Sequence, residues 1–190
     1  MVSREQPTRL QVGPASIGWA LLGASARAQQ VMVEAIRTQP AAPEAPGEVG
    51  AWVAGVYSHN EQRAKHFAEQ SQLPHYFLNL ADLLERHNIQ CLYVGSHPRH
   101  HYPLVMAALS AGKHVLCEPP LALTLQEAQT MGEAAAHRGL LLAVNYQRRA
   151  TSAIQQAQGL LDDGVIGDLL GGRIMNSRLL HPHQQTWRLK

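Results

Sequence analysis

A few short runs in this 190-residue chain combine glycine, small hydroxyl and histidine residues at spacings that suit particular chemistry. Gly23-Ala-Ser-Ala-Arg-Ala28 has the spacing of G-x-G-x-x-G/A, the turn that brings backbone N–H groups against a diphosphate. Gly23 would supply the tight turn. Ser25 and Ala26 stand where the backbone must approach the phosphates, and Ala28 is small enough for close helix–strand packing. Ser25 replaces the glycine of the pattern, but its hydroxyl can itself bond a phosphate. The bland alternative is a plain small-residue turn. After the next apolar run comes Tyr57-Ser58-His59-Asn60, where a carboxylate would hold the ribose 2′-hydroxyl of NAD. No carboxylate occurs before Glu61, so Ser58 and His59 favour the 2′-phosphate of NADP(H).

Three further polar runs follow apolar ones: Ser96-His97-Pro-Arg-His100-His101, Glu118-Pro119-Pro120, and Asn145-Tyr146-Gln-Arg-Arg149. Ser96, His97, Glu118 and Asn145 join the candidate dinucleotide contacts. His97, His100, His101 and Tyr146 are the candidate proton donors, set against ordinary loop polarity. His97 and His101 would share a helix face, yet no carboxylate or cysteine lies close in sequence, so no metal site is expected there or at His181-Pro-His183. Arg148-Arg149 could meet a phosphate or an acidic substrate; the alternative is a solvated helix start. Cys91 and Cys117 sit inside apolar runs without disulfide or metal spacing, which reads as small buried hydrophobes in a reduced cytoplasmic protein.

The elements that must position these residues alternate. Strands are predicted over Ile17–Leu22, Ala51–Tyr57, His75–Phe77, Gln90–Val94, Lys113–Cys117 and Leu140–Asn145. Helices are predicted over Ala26–Thr38, from a capping box Ser58–Glu61 to Gln70, and over Leu80–Arg86 behind Asn79. Three more run over Tyr102–Ala111 ended by Gly112, from a capping box Thr124–Glu127 to Arg138, and over Ala150–Asp163 closed by Gly164. A Pro/Ala/Gly stretch, Gln39–Gly50, reads as a loop. Strands apolar throughout, separated by helices, mean that both sheet faces are covered. That predicts an α/β fold with a doubly wound parallel sheet and right-handed crossovers. Gly167–Leu180 looks like one more strand with no helix after it, which should pair with another chain, fold back on this one, or be disordered.

Hydrophobic residues make up 45% and charged residues 16%, enough apolar mass for a sizeable core and too much for a disordered chain. A formal net charge of +2 is too small an excess to imply a nucleic-acid or membrane-surface partner. The longest apolar runs, Ile17–Leu22 and Leu140–Val144, are far short of the roughly 20 residues of a spanning helix. The first sixteen residues hold no apolar stretch of the secretory kind.

The run from Ile17 to about Asp168 resembles the N-terminal Rossmann domain of the glucose–fructose oxidoreductase, inositol dehydrogenase and rhizopine-catabolism (Gfo/Idh/MocA) family. LLGASARA, VAGVYSHNEQRAKHFA and above all HYPLVMAALSAGKHVLCEPPLALTLQEA carry the likeness, with VNYQRR and GVIGDLLGGRI fitting the next strand and the entry to a second domain. The resemblance implies an NAD(P)-dependent oxidoreductase acting on sugars, polyols or related carbonyl compounds. Gly23, Ser25 and Ala28 match the pyrophosphate turn, Ser58 and His59 the position that discriminates the adenosine ribose, and Glu118 the glutamate on the nicotinamide-side ribose. His101 matches a loop histidine whose role is left open. Pro119 stands where the family's Glu-Lys-Pro motif has its catalytic lysine, and proline has no proton to give. Three divisions are expected: a tail over 1–16, a dinucleotide domain over 17–166, and over 167–190 a remnant of the family's second domain. Such a chain would act with a partner chain or as a homo-oligomer joined through its last strand, or else persist as a catalytically silent binding module.

Overall fold

The computed structural model describes residues 16–38, 50–173 and 175. Six strands, β1 (Ser16–Leu22), β2 (Gly50–Tyr57), β3 (His75–Phe77), β4 (Cys91–Val94), β5 (His114–Cys117) and β6 (Leu142–Val144), form one sheet. Every pairing is parallel and the order is β3-β2-β1-β4-β5-β6. This is the doubly wound order predicted from the apolar runs. The order reverses between β1 and β4, and ligands of such sheets bind beyond the strand ends at that reversal.

Alternation along the central strands divides the core. Ala20 and Leu22 of β1 and Leu92 and Val94 of β4 enter one cluster, with Leu83, Val105, Leu109 and Met131. Leu21 and Tyr93 enter the other, with Ala28, Met32, Ile36 and Phe67. Successive strand side chains point to opposite faces, so these two lists are the two faces of the sheet, each roofed by helices. α3 (Leu80–Leu84), α4 (His101–Ser110) and α5 (Leu125–His137) cover the first; α1 (Val33–Arg37), the turn before it, and α2 (Glu61–Gln70) cover the second.

Most helix ends follow the sequence. Asn79 accepts from the Ala81 N–H, and Thr124 and Glu127 close a reciprocal capping box. Gly112 and Gly139 take the left-handed conformation at helix ends, with φ of +73° and +63°. The first helix begins at 26, as read from the sequence, and holds a π segment, Ala28–Met32, in which the Val33 N–H reaches back to the Ala28 carbonyl. Two expectations are corrected. α2 is capped by Asn60, not by Ser58: Ser58 is buried and its Oγ takes the Asn60 N–H at 3.2 Å, so it shapes the approach, while Asn60 Oδ1 accepts from the Arg63 N–H at 2.9 Å. No strand occurs among the described residues 167–173 and 175. Gly167 has a φ of +68°, and three glycines in seven residues give an extended run nothing to pack. The remainder of that stretch, the tail 1–15, the loop 39–49 and the His181-Pro-His183 run lie outside the described residues.

The chain forms two compact units, residues 1–146 and 147–190. The first holds all six strands. The second holds a 3₁₀ turn (Gln147–Ala150), with Arg148 and Arg149 exposed, and α6 (Ser152–Asp162). Among the described residues no helix is long and apolar enough to cross a membrane.

Candidate functional site

The carboxyl ends of β1 and β4 lie side by side, Leu22 opposite Val94, so the turn after β1 packs on the loop after β4. Gly23 has a φ of +111°, and a Cβ there would sit 3.0 Å from both N and Cα of Ser96. Any side chain at 23 would therefore push the two loops apart. Ser25 Oγ accepts the Ala28 N–H at 3.2 Å, which leaves its own proton to donate outward. Ala28 is fully buried under the turn, and Ala26 is exposed.

A groove of about 430 Å³ opens over this junction. Its floor is Gly23, Ala24, Ser25, Gly95 and Ser96; Tyr57, Ser58, His59 and Arg63 form the β2 side. His97, Arg99 and His100 stand opposite, with Pro103 and Leu104 as an apolar flank. Five of these side chains are basic and none is acidic, so the groove favours an anion. The His59 charge is among those close enough to act on His100. His100 is held below its ordinary value of 6.5 first by burial and then by the Arg99, His97, His59 and His101 charges. Its Nε2 accepts the Arg99 Nε–H at 3.0 Å.

Glu118 forms a second centre, outside the groove lining. Its Oε1 accepts from the Tyr93 hydroxyl at 2.9 Å and from the Asn145 amide at 2.5 Å, while Oε2 pairs with Arg27 Nε at 3.0 Å. The Asn145 amide also lies 3.7 Å from Met32 Sδ, in the π segment. Burial first, then the Glu118 charge and hydrogen bond, raises the Tyr93 pKa, so the phenol stays protonated and donates. The same two causes, burial ahead of Glu118, push the Cys117 thiol up to about 12, and Cys91 rises through burial; neither is a nucleophile.

His101 is 1% exposed, its Nδ1 2.8 Å from the Pro120 carbonyl and its Nε2 3.0 Å from the Ser96 carbonyl. A neutral imidazole can donate to one of these, an imidazolium to both. Either way the ring ties the loop after β4 to the Glu118-Pro119-Pro120 turn, and it does not reach into the groove. His97 is exposed and receives the Arg99 N–H at Nδ1. Tyr146 is 55% exposed, and its backbone N–H donates to the Val144 carbonyl at the end of β6.

The structure thus brings Gly23, Ser25, Ser58, His59, Ser96 and His97 to one groove and sets Glu118 with Asn145 beside it. Sequence reasoning missed Arg63, Arg99, Arg27 and Tyr93. One signal was readable: a tyrosine inside the apolar run Cys91–Val94 must bring its buried hydroxyl to a partner. Among the described residues, no group of three or more metal-ligating side chains is close enough to hold a metal ion.

The chain is similar to several known proteins. The profile of the Gfo/Idh/MocA group, described as an oxidoreductase family with an NAD-binding Rossmann fold, matches residues 17–146. The 1,5-anhydro-D-fructose reductase of Ensifer adhaerens is 31% identical over 172 residues, covering 90% of this chain and 49% of its own. A trans-1,2-dihydrobenzene-1,2-diol dehydrogenase of Macaca fascicularis is 33% identical over 137 residues, 71% of this chain and 41% of its own. Among solved structures, a 3-ketoreductase from Actinomadura kijaniata, in complex with NADP and TDP-benzene, superposes with a TM-score of 0.69 at 29% identity over 80% of this chain and 44% of its own. An NAD-binding oxidoreductase from Klebsiella pneumoniae gives 0.72 at 27% identity, over 80% of this chain and 40% of its own. The chain therefore spans about half the length of the relatives it matches. On the profile match, the sheet order and the glycine turn together, this chain belongs to the Gfo/Idh/MocA oxidoreductase family and carries its NAD-binding Rossmann fold.

Proposed function

We propose that the chain binds NADP(H) as part of an oxidoreductase for a sugar, polyol or related carbonyl compound. The observation that carries this reading is the anion-favouring groove built directly on the Gly23 turn, where a side chain would force the turn off the neighbouring loop. The residues fit the group. Gly23 lets a diphosphate come close, the Ser25 hydroxyl donates to it, and Pro103 and Leu104 flank a base. At the β2 end a carboxylate is missing from the lining, which supports the 2′-phosphorylated form. Glu118, fixed by three donors, can still accept from a ribose hydroxyl, since a carboxylate has about four acceptor sites. A bound nicotinamide supplies or accepts a hydride; the chain's own residues bind and orient it. His101, by holding the Ser96 loop to the Pro120 turn, acts as a positioning residue.

Proton handling is the weak point of the site. Pro119 carries no ionisable group, so the proton that accompanies hydride transfer would come from another residue, the exposed His97 or Tyr146 of this chain or one supplied by a partner chain. The same residue favours a second reading, a binding module that keeps the fold without the reaction. We place the protein in the cytoplasm, consistent with two unpaired buried cysteines. Titration with NADPH, followed by its fluorescence, tests the first reading: saturable binding is expected. Failure of both NADPH and NADH to bind at millimolar concentration would remove it. Turnover of a sugar carbonyl by the unmodified chain, lost in Glu118→Ala, would remove the second.

A further inference from the structure

We propose that Arg27 sets which redox form of the dinucleotide this chain prefers, its guanidinium offsetting the Glu118 charge and favouring the reduced form. The proposal rests on the dinucleotide reading above and concerns the half of the sheet that the groove does not use. That sheet has two halves, β3-β2-β1 and β4-β5-β6, which meet where the strand order reverses. Each half of such a fold takes one mononucleotide, with the diphosphate between them at the glycine turn. Ser58 and His59 follow β2 and belong to the adenosine half; Glu118 and Asn145 follow β5 and β6 and belong to the other. There the two redox forms differ in charge, since the oxidised nicotinamide ring is a cation and the reduced ring is neutral. The phosphates are common to both forms, so the effect of a fixed charge on them cancels in the ratio of the two affinities.

Arg27 and Glu118 are the charges that meet in this half, and their pairing crosses the reversal. Arg27 lies in the first turn of the helix that begins at 26, directly after the glycine turn of β1, and its side chain reaches past β4 to the end of β5. Glu118 has an inner and an outer side. Its Oε1 faces the Asn145 amide and the fully buried Tyr93, both neutral, while Oε2 meets Arg27 Nε at 3.0 Å. The Arg27 side chain is 49% exposed and that of Glu118 is 14% exposed, so the guanidinium is the outer partner and faces what enters from solvent. Burial and then Glu118 raise the Tyr93 pKa, and Arg27 opposes them, so the guanidinium acts on the phenol as well. Pro119, the next residue, adds no charge. A bare carboxylate here would favour the cationic, oxidised ring. With a permanently charged guanidinium on its open side the preference turns to the neutral, reduced ring, which suits a chain whose reaction is reduction.

The test is calorimetric titration of the full chain with NADPH, with NADP⁺, and with adenosine 2′,5′-bisphosphate, which lacks the nicotinamide half. The quantity read is the ratio of the NADP⁺ and NADPH dissociation constants. Arg27→Met should shift that ratio toward NADP⁺ by about tenfold, the effect of one unit charge across several ångströms of partly screened protein. Arg27→Lys, which keeps the charge, should hold it within about threefold. Glu118→Gln should shift it the other way, toward NADPH, and the double variant Arg27→Met with Glu118→Gln should return it to within about threefold of the unmodified chain. Bisphosphate affinity should stay within about twofold throughout, which also shows that each variant is folded. A ratio unmoved in both single variants, an Arg27→Met shift toward NADPH, or an equal shift in Arg27→Lys would overturn the proposal. If the dinucleotides bind and only the ratio fails to respond, the proposal falls alone. If neither NADPH nor NADP⁺ binds the unmodified chain, the dinucleotide reading falls and the proposal with it.

Discussion

Glu118 shows how much of this site depends on single atoms. Its carboxylate stands at the end of β5 with only 14% of the side chain exposed, and a charge so placed needs donors on every side. Arg27, Tyr93 and Asn145 provide them from three other parts of the chain. Tyr93 can reach Glu118 only because residue 95 is glycine: a Cβ there would lie 2.5 Å from Cε1 of the buried tyrosine ring. Gly95→Ala should therefore destabilise the protein by about 1–3 kcal/mol, the usual penalty for overpacking a filled core. Urea unfolding would measure it. A loss below about 0.5 kcal/mol would mean that the ring moves aside freely and that the tyrosine–glutamate contact is not fixed. The candidate contacts Gly23, Ser25, Ser58, His59, Ser96 and His97 were legible in the sequence because each directly follows a strand, and strand ends are where this fold binds. Arg99 and Arg63 were not. An arginine in a loop or a first helical turn looks solvated until the topology sets a second wall opposite it.

At the scale of elements, what could be read depended on how local the determining contacts are. The strands were readable because both faces are covered, which makes each an unbroken apolar run. The capping box at Thr124 is equally local, with two residues three positions apart and two reciprocal hydrogen bonds. Thr124→Ala should cost about 1 kcal/mol of stability and leave NADPH affinity unchanged, since α5 begins away from the groove lining. Paired thermal unfolding and NADPH titration would check both halves, and a fall in affinity would show that the α5 start bears on the site. By contrast, the π segment at Ala28–Met32 was not readable. It keeps both Ala28 and Met32 buried, and Met32 meets Asn145, 113 residues further on. No window of local sequence contains that contact. The start of α2 was misassigned for a related reason: Ser58 has the right spacing for a cap, but burial of its side chain turns the hydroxyl to Asn60 instead.

For the molecule as a whole, the sheet brings four loops to the place where strand order reverses, and the chemistry gathers there in two separate parts. One is a basic groove on the glycine turn; the other is the fixed carboxylate beside it, next to a proline that has no proton to give. That division suits a chain that holds a dinucleotide. The central claim is that the crease after β1 holds the dinucleotide along its length. Amide chemical shifts of the full chain, recorded by NMR during titration with NADPH, test this most directly. The account predicts saturable shifts concentrated at Gly23, Ser25, Ser58, His59, Ser96 and Asn145, with the His75–Phe77 strand unmoved. No shift at millimolar NADPH, or shifts gathered away from the β1 and β4 ends, would contradict it.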